Sequence, residues 1–457
     1  MNALTIKESI KREVVSFLYQ VAKSNEIIYL VLLSFYVAVY SMLKIGWKLS
    51  LEQPTDTIRA FMLGIIMWGS ALYLFLVIAD WKKLWGKTIW LIIVAAVLLA
   101  LTFCFSRSMS TNAYGVVFDL YFCVMACGKN YKKILQCIAS VVTLSLIIAA
   151  VGLKAGWTVD VIKPDNIHPG HSFGIVYPNT WGFLCFLVLM IVWYLYLRRR
   201  KFLTFAIFWG CGAFMFIVAY CRTAALLTIV FPVMAVMTDW LEDLAVSRRK
   251  SDGKPQIILK VVRWCIIAIP FVMFAIMLAL SLNLEWVHAH FYYTWFHNFA
   301  MRFVVGGLFL RQYGLVWIGN VLKSNTLQIV NVNNDFLEVR ILDSSFVAYL
   351  LMRGVLWVLG VLTWLSLSIW KALNKKDFAI PYLVFIILIF AMMERPGLEV
   401  WYNFVLLYPL AKAGGKAGTH DILDFNPLFV ERGRDPGETE SVSDVNADQS
   451  KDPEDVD

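Results

Sequence analysis

Residues 173–201 read FGIVYPNTWGFLCFLVLMIVWYLYLRRRK. From Phe173 to Leu197 the run carries no charge, and it closes on three arginines and a lysine. About 20 apolar residues in a helix cover the roughly 30 Å of bilayer hydrocarbon. A run of that length ending in a basic cluster reads as a transmembrane helix whose C-terminal end faces the cytoplasm.

The same pattern recurs on both sides. Apolar runs lie at about 27–44, 59–79, 89–105, 112–127, 134–153, 202–220, 223–238, 264–282, 346–370, 379–393 and 400–412. The chain of 457 residues is 60% hydrophobic and 16% charged, with a mean hydropathy of +0.68. A soluble domain holds roughly 25% charged residues. A transmembrane β-barrel would instead alternate in segments of about ten residues. Asp80–Lys87, Lys129–Lys133, Arg198–Lys201, the stretch from Arg248 to Lys260 and Lys371–Lys376 are basic. They fall at every second connection, so they agree on one orientation. These observations predict an all-α polytopic integral membrane protein with about twelve transmembrane helices, a large extracytoplasmic loop and both termini cytoplasmic.

Three regions follow. Residues 1–25 read as a cytoplasmic amphipathic N-terminus able to lie on the membrane surface, without the apolar core of a signal peptide. Residues 26–413 form the membrane domain. Residues 414–457 form an acidic, disordered cytoplasmic tail. Residues 431–457 hold ten acids against three bases, which leaves residues 1–430 with a formal net charge of +16. Cytoplasmic loops account for that excess, and no nucleic-acid partner is expected. The eight cysteines have neither zinc-like nor redox spacing.

On this topology the two long polar loops, 154–172 and 283–345, share the outer face with Arg107, Arg222, Glu394 and Arg395. Residues 283–345 carry three histidines, several carboxylates and arginines, and six Trp or Tyr residues, and read as a folded cap. Arg222 stands between two apolar runs with no acid close by, so it is either a functional cation or a snorkelling interfacial arginine. Arg302 and Arg311 flank VVGGLFL; their guanidinium forks suit phosphate, and pairing with Asp335, Glu338 or Asp343 is the alternative. Asp343 is a candidate base or a helix cap. Glu394 beside Arg395 is a base next to a phosphate-binding arginine, or a simple ion pair. His168, His171, His288, His290 and His297 lack a HExxH pattern and a cysteine partner, so no metal site is expected. One of them could serve as a general base. The loop aromatics suit sugar stacking, as would an interfacial belt.

Several segments resemble, in order, the Wzy-type capsular or exopolysaccharide (O-antigen) polymerases of Gram-positive bacteria. The carriers are SRSMSTNAYGVVFDLYFCVMACGKNYKKILQ at 106–137, HSFGIVYPNTWGF at 171–183, AYCRTAALL at 219–227, Met301–Gly314, LDSSFVAYLLMRG at 342–354, and Glu394 with Asn403. Together they span roughly residues 100–410. Cys221, Tyr177 and Ser344 depart from the residues usual in that family.

The resemblance implies a polysaccharide polymerase of the bacterial cytoplasmic membrane. Such an enzyme joins undecaprenyl-diphosphate-linked oligosaccharide repeat units on the outer face, with undecaprenyl diphosphate leaving. It implies Asp343, Glu394, Arg222 and Arg302 as catalytic residues. Arg311, Arg395, His171, Asn179 and Asn403 would bind substrate, and no cofactor would be needed. Its partners would be lipid-linked oligosaccharides and membrane lipids, with a flippase and a chain-length regulator as further candidates. An O-antigen-ligase-like transferase and a lipid-linked oligosaccharide flippase or transporter remain alternatives; a transporter would place charges within the spans.

Overall fold

Two of the described helices begin where an apolar run meets a side chain able to satisfy an orphan amide of the first turn. The Asn25 side chain accepts from the Ile27 amide, and the Asn130 side chain from the Lys132 amide. Pro178 occupies the first turn of its helix, where its missing N–H costs nothing. The computed structural model describes residues 14–47, 54–78, 112–160, 170–247, 256–291, 297–317, 326–330 and 337–412. The chain divides into a unit Met1–Lys416 and a second unit Ala417–Asp457. The second unit and the expected acidic tail lie outside the described residues, as do the run 89–105, Arg107, His168 and Asp335.

The elements are α1 (Val14–Lys23), α2 (Glu26–Met42), α3 (Pro54–Ile78), α4 (Asn112–Met125) and α5 (Tyr131–Lys154). Next come α6 (Pro178–Val192), continued by a π turn (Trp193–Leu197), then α7 (Lys201–Ile217), α8 (Arg222–Ser247) and α9 (Gln256–Leu282). After them follow α10 (Leu284–Phe291), α11 (His297–Tyr313), β1 (Thr326–Val330) and β2 (Leu337–Ile341), and last α12 (Ser345–Arg353), α13 (Val355–Asn374) and α14 (Ala379–Met393). Among the described residues, four helices are long and apolar enough to cross a membrane: α5, α6 with its π turn, α9 over Val261–Leu282, and α13. A fifth counts if α1 and α2 are one span, but they meet at 87°. The architecture is that of a helical membrane protein.

Three expectations need amendment. Segment 283–345, expected on the outer face, contains a two-stranded antiparallel ribbon, with Thr326 opposite Ile341 and Val330 opposite Leu337, a small addition to an otherwise helical protein. LEVRI alternates apolar and polar residues, the period of a strand. The expected span 346–370 is broken at Gly354, which adopts φ +87° and ends α12. The run 400–412 forms no spanning helix. It contains a short 3-10 turn, Phe404–Leu407, within otherwise irregular chain.

That last segment nevertheless returns through the bundle. Trp401 stacks on Tyr40 at 5.8 Å, while the Lys412 amide donates to the Lys129 carbonyl at 2.7 Å. Irregular backbone among packed spans is tolerated only where protein groups satisfy it. The Leu406 carbonyl accepts Trp364 Nε1 (2.7 Å) and Cys123 Sγ (3.4 Å). Tyr131 Oη donates to the Phe404 carbonyl at 3.4 Å and Ser368 Oγ to that of Val405 at 3.3 Å. Lys371 Nζ reaches the carbonyls of Tyr408, Pro409 and Ala411 at 3.3, 2.8 and 2.6 Å.

The bundle therefore has two chemically different ends. At the first, Lys129 is buried with Nζ on the Val21 and Ser24 carbonyls (2.8 and 2.7 Å), closing the C-terminal end of α1. Burial draws its ammonium down to about 8. Arg198 pairs with Asp377 at 2.9 Å at the same end, beside Tyr194 and Tyr131. The starts of α6 and α8 and the end of α14 lie at the second end. Phe183 packs on Phe390 at 4.6 Å and Phe231 on Tyr382 at 4.9 Å, which makes α14 antiparallel to both α6 and α8. From the Phe231–Tyr382 contact, helical rise carries Arg222 about 13 Å and Glu394 about 18 Å in the same direction.

Replacing Lys371 by Met leaves three carbonyls of the returning segment without that donor. The expected loss is about 1–3 kcal/mol. Thermal unfolding in detergent should show it, while the exposed control Lys132→Met stays within about 0.5 kcal/mol of wild type.

Candidate functional site

The second end gathers residues from five segments. Arg302 lies in α11, which Gly306 brings close to its neighbours. A Cβ on Gly306 would sit 3.0 Å from Val347 Cγ2 and 3.4 Å from Ser281 Oγ, so the glycine sets the approach of α11 to α12 and α9. From that position the Arg302 guanidinium bridges two carboxylates. Nη1 pairs with Asp343, and Nη2 lies 3.2 Å from Glu394 Oε1. Asp343 does not cap α12; Ser344 occupies the cap position, which frees Asp343 for Arg302.

Backbone contacts fix Glu394. The Ser345 hydroxyl donates to the Glu394 carbonyl and accepts from the Gly397 amide at 3.0 Å. Asn403 is buried and its Nδ2 donates to the Gly397 carbonyl at 3.1 Å, so it holds the turn rather than lining an open surface. The Glu394 side chain is about 10% exposed against 36% for Asp343, so Glu394 forms the inner wall and Asp343 the rim. One guanidinium against two carboxylates leaves the trio with a formal charge of −1. Arg302 is thus committed to acids and offers no surplus positive charge.

Arg222 does. It is exposed at the first residue of α8, with Nη2 donating to Tyr220 Oη at 2.7 Å and the guanidinium 4.6 Å above the Tyr220 ring. No carboxylate pairs with it among the described residues. Its helix is anchored by Cys221, the departure from the family pattern noted above. Cys221 Sγ is buried and donates to the Pro178 carbonyl at 2.7 Å, tying the start of α8 to the start of α6. A Cβ on Gly182 would meet Cys221 Cβ at 2.8 Å, so this contact needs glycine.

The loop ahead of α6 joins the same corner. The His171 amide donates to the Val218 carbonyl at 3.3 Å, and His171 Nδ1 lies 2.6 Å from Asp160 Oδ2. Burial alone would raise the Asp160 carboxyl. Hydrogen bonds from His171 and from the Ser172 amide and hydroxyl outweigh it and hold the group below its usual value. Phe173, Trp181 and Phe214 form an aromatic cluster with centroids 4.9–5.8 Å apart, adjoining His171. Asn179 is half-buried in the first turn of α6.

One expected residue stands apart, and the side chain of another is not described. Arg311 is exposed and lies nine residues, or two and a half helical turns, from Arg302, which places it on the opposite face of α11. The Arg395 side chain lies outside the described residues. Among the described residues no group of three His, Cys, Asp or Glu is placed to hold a metal ion.

One buried group escaped the sequence reading altogether. Asp119 of α4 and Arg353 of α12 form an ion pair at 3.3 Å, with both side chains under 10% exposed. Asp119 Oδ1 also accepts the Val400 amide at 3.0 Å and the Tyr36 hydroxyl at 3.3 Å. Arg353 lies 4.1 Å over Tyr349 and 5.5 Å over Trp357. The pair joins α2, α4, α12 and the turn after Glu394. Each residue stands in an otherwise apolar run, which was the available signal.

The chain matches no family model, no curated protein and no solved structure.

Breaking the buried pair from one side should cost more than removing it. Arg353→Met leaves Asp119 buried and unpaired, with an expected loss of about 3–5 kcal/mol. The double variant Asp119→Leu/Arg353→Met should recover much of it. Melting curves of the purified variants in detergent decide the order.

Proposed function

We propose that this protein is a membrane glycosyltransferase that polymerises undecaprenyl-diphosphate-linked oligosaccharide repeat units on the outer face of the bacterial cytoplasmic membrane. The observation that carries the reading is the gathering of Arg302, Asp343, Glu394, His171 and Arg222 at one end of the helix bundle. That end is opposite the one rich in lysine and arginine. The positive-inside rule then makes the gathering end extracytoplasmic and keeps both chain termini in the cytoplasm. The ordered resemblance to Wzy-type polymerases supports the same assignment.

The reaction has three electrostatic needs, and the residues divide among them. A diphosphate leaving group gains charge as the glycosidic bond breaks, so it needs a fixed cation. Arg222, exposed and without an acid partner among the described residues, fills that role. The anomeric carbon gains positive character in the transition state, which the Asp343 and Glu394 carboxylates stabilise while Arg302 holds them apart and in place. The sugars need an apolar surface for their C–H faces, and the Phe173–Trp181–Phe214 cluster beside His171 offers one. The polyprenyl tails reach the site from the lipid that bathes the exposed apolar faces of α7 and α8.

Transport of the same lipid is a second reading, favoured by the Asp119–Arg353 pair inside the bundle. The two readings part in one assay. Loss of a polymerase leaves single lipid-linked repeat units in the outer leaflet, whereas loss of a transporter leaves them in the inner leaflet.

In cells carrying Arg222→Ala at normal membrane level, single repeat units should accumulate and long polymer should fall by about 10²-fold or more. Gel analysis of extracted polysaccharide and lipid reads both. Normal long polymer would remove Arg222 from the mechanism. Unchanged polymer after deletion of the whole protein would remove the polymerase reading.

A further inference from the structure

The glycosyl transfer proposed above also requires a base for the attacking hydroxyl. Asp343 and Glu394 each turn one oxygen to Arg302. The His171 side chain is placed differently. Its Nδ1 is held at 2.6 Å by Asp160 Oδ2. Asp160 Oδ1 is occupied in turn by the Ser172 amide (2.7 Å), the Ser172 hydroxyl (3.1 Å) and the Phe173 amide (3.1 Å). Those donors keep the carboxyl ionised, and an ionised carboxylate only accepts, so Nδ1 carries the proton. Nε2 then has a free lone pair. The side chain is 42% exposed, and no described residue hydrogen-bonds Nε2.

The backbone around this pair is specialised. Phe173 (φ +50°) and Tyr220 (φ +55°) are both in the left-handed region, which bulky residues rarely adopt. Gly170 packs against Tyr220, where an added Cβ would meet Tyr220 Cβ at 2.9 Å. Among the described residues Asp160 is the charged group paired with the His171 side chain, and the turn between α7 and α8 that carries Tyr220 and Arg222 meets the same loop at Gly170 and at the His171 amide. The loop carrying the dyad thus packs on the turn that leads into the arginine assigned to the diphosphate.

We propose that His171, oriented by Asp160, is the general base of the reaction, an inference that rests on the glycosyl-transfer reading. Its Nε2 takes the proton from the acceptor sugar hydroxyl. The hydroxyl oxygen forms a bond to the anomeric carbon of the lipid-linked chain. The anomeric C–O bond to the diphosphate breaks, and its electron pair leaves with undecaprenyl diphosphate beside Arg222. The imidazolium proton then passes to solvent.

The test uses the full-length protein in detergent, with lipid-linked repeat units extracted from cells lacking the protein as substrate. His171→Asn keeps a donor for Asp160 in the position of Nδ1 and removes Nε2. Its kcat should fall by about 10²-fold or more with KM little changed, and added imidazole should restore part of the rate. Asp160→Asn should lower kcat at least tenfold while melting within a few degrees of wild type. A purely structural dyad would move the melting temperature and would not respond to imidazole. If His171→Asn does not accumulate, His171→Gln is read in the same way. Unimpaired turnover by a folded His171 variant overturns the base and leaves the polymerase reading intact. A wild-type protein that does not elongate these lipids overturns both.

Discussion

The Arg302 guanidinium, bridging Asp343 and Glu394, is the contact on which the proposed site depends. It ties α11 to the start of α12 and to the end of α14, three helices from separate parts of the chain. Two acids placed this close repel one another unless a cation stands between them. Gly306 lets α11 approach closely enough, and Ser345 fixes the Glu394 backbone from the other side. The same interaction sets the division of labour. Because Arg302 is neutralised, Arg222, which has no carboxylate partner among the described residues, is left to meet an anionic ligand.

The charge pattern of the two ends follows from membrane physics. Lysines at the first end act on backbone carbonyls: Lys129 closes α1, and Lys371 gathers three carbonyls of the returning segment. These cations sit in a basic environment and have structural partners. At the second end the polar side chains meet one another, and among the described residues Arg222 and His171 keep atoms free for a ligand. The Asp119–Arg353 pair holds the helices between.

Much of this was legible in sequence because each signal was local. The run 173–201 announces its own helix, and the observed helix with its π turn ends at Leu197, where the arginines begin. Arg222 was legible as a cation without a neighbouring acid. Asp119 and Arg353 were not, since 234 residues separate them and each alone reads as a stray charge. The run 400–412 misled because its apolar composition suits a helix. Its length, short of the roughly 17–25 residues a span needs, was the better guide. The Gly354 break was written in the glycine after Arg353, a common helix stop masked by the apolar residues on either side. The Asp160–His171 contact depends on loop closure, which no periodicity reports.

The central claim is that the end carrying Arg222, Arg302, Asp343 and Glu394 receives a polyprenyl diphosphate. Native mass spectrometry of the purified full-length protein with undecaprenyl diphosphate tests it directly. The account predicts one retained lipid per protein, with retention lost in Arg222→Gln at unchanged melting temperature. No retained lipid, or equal retention by the variant, would contradict it.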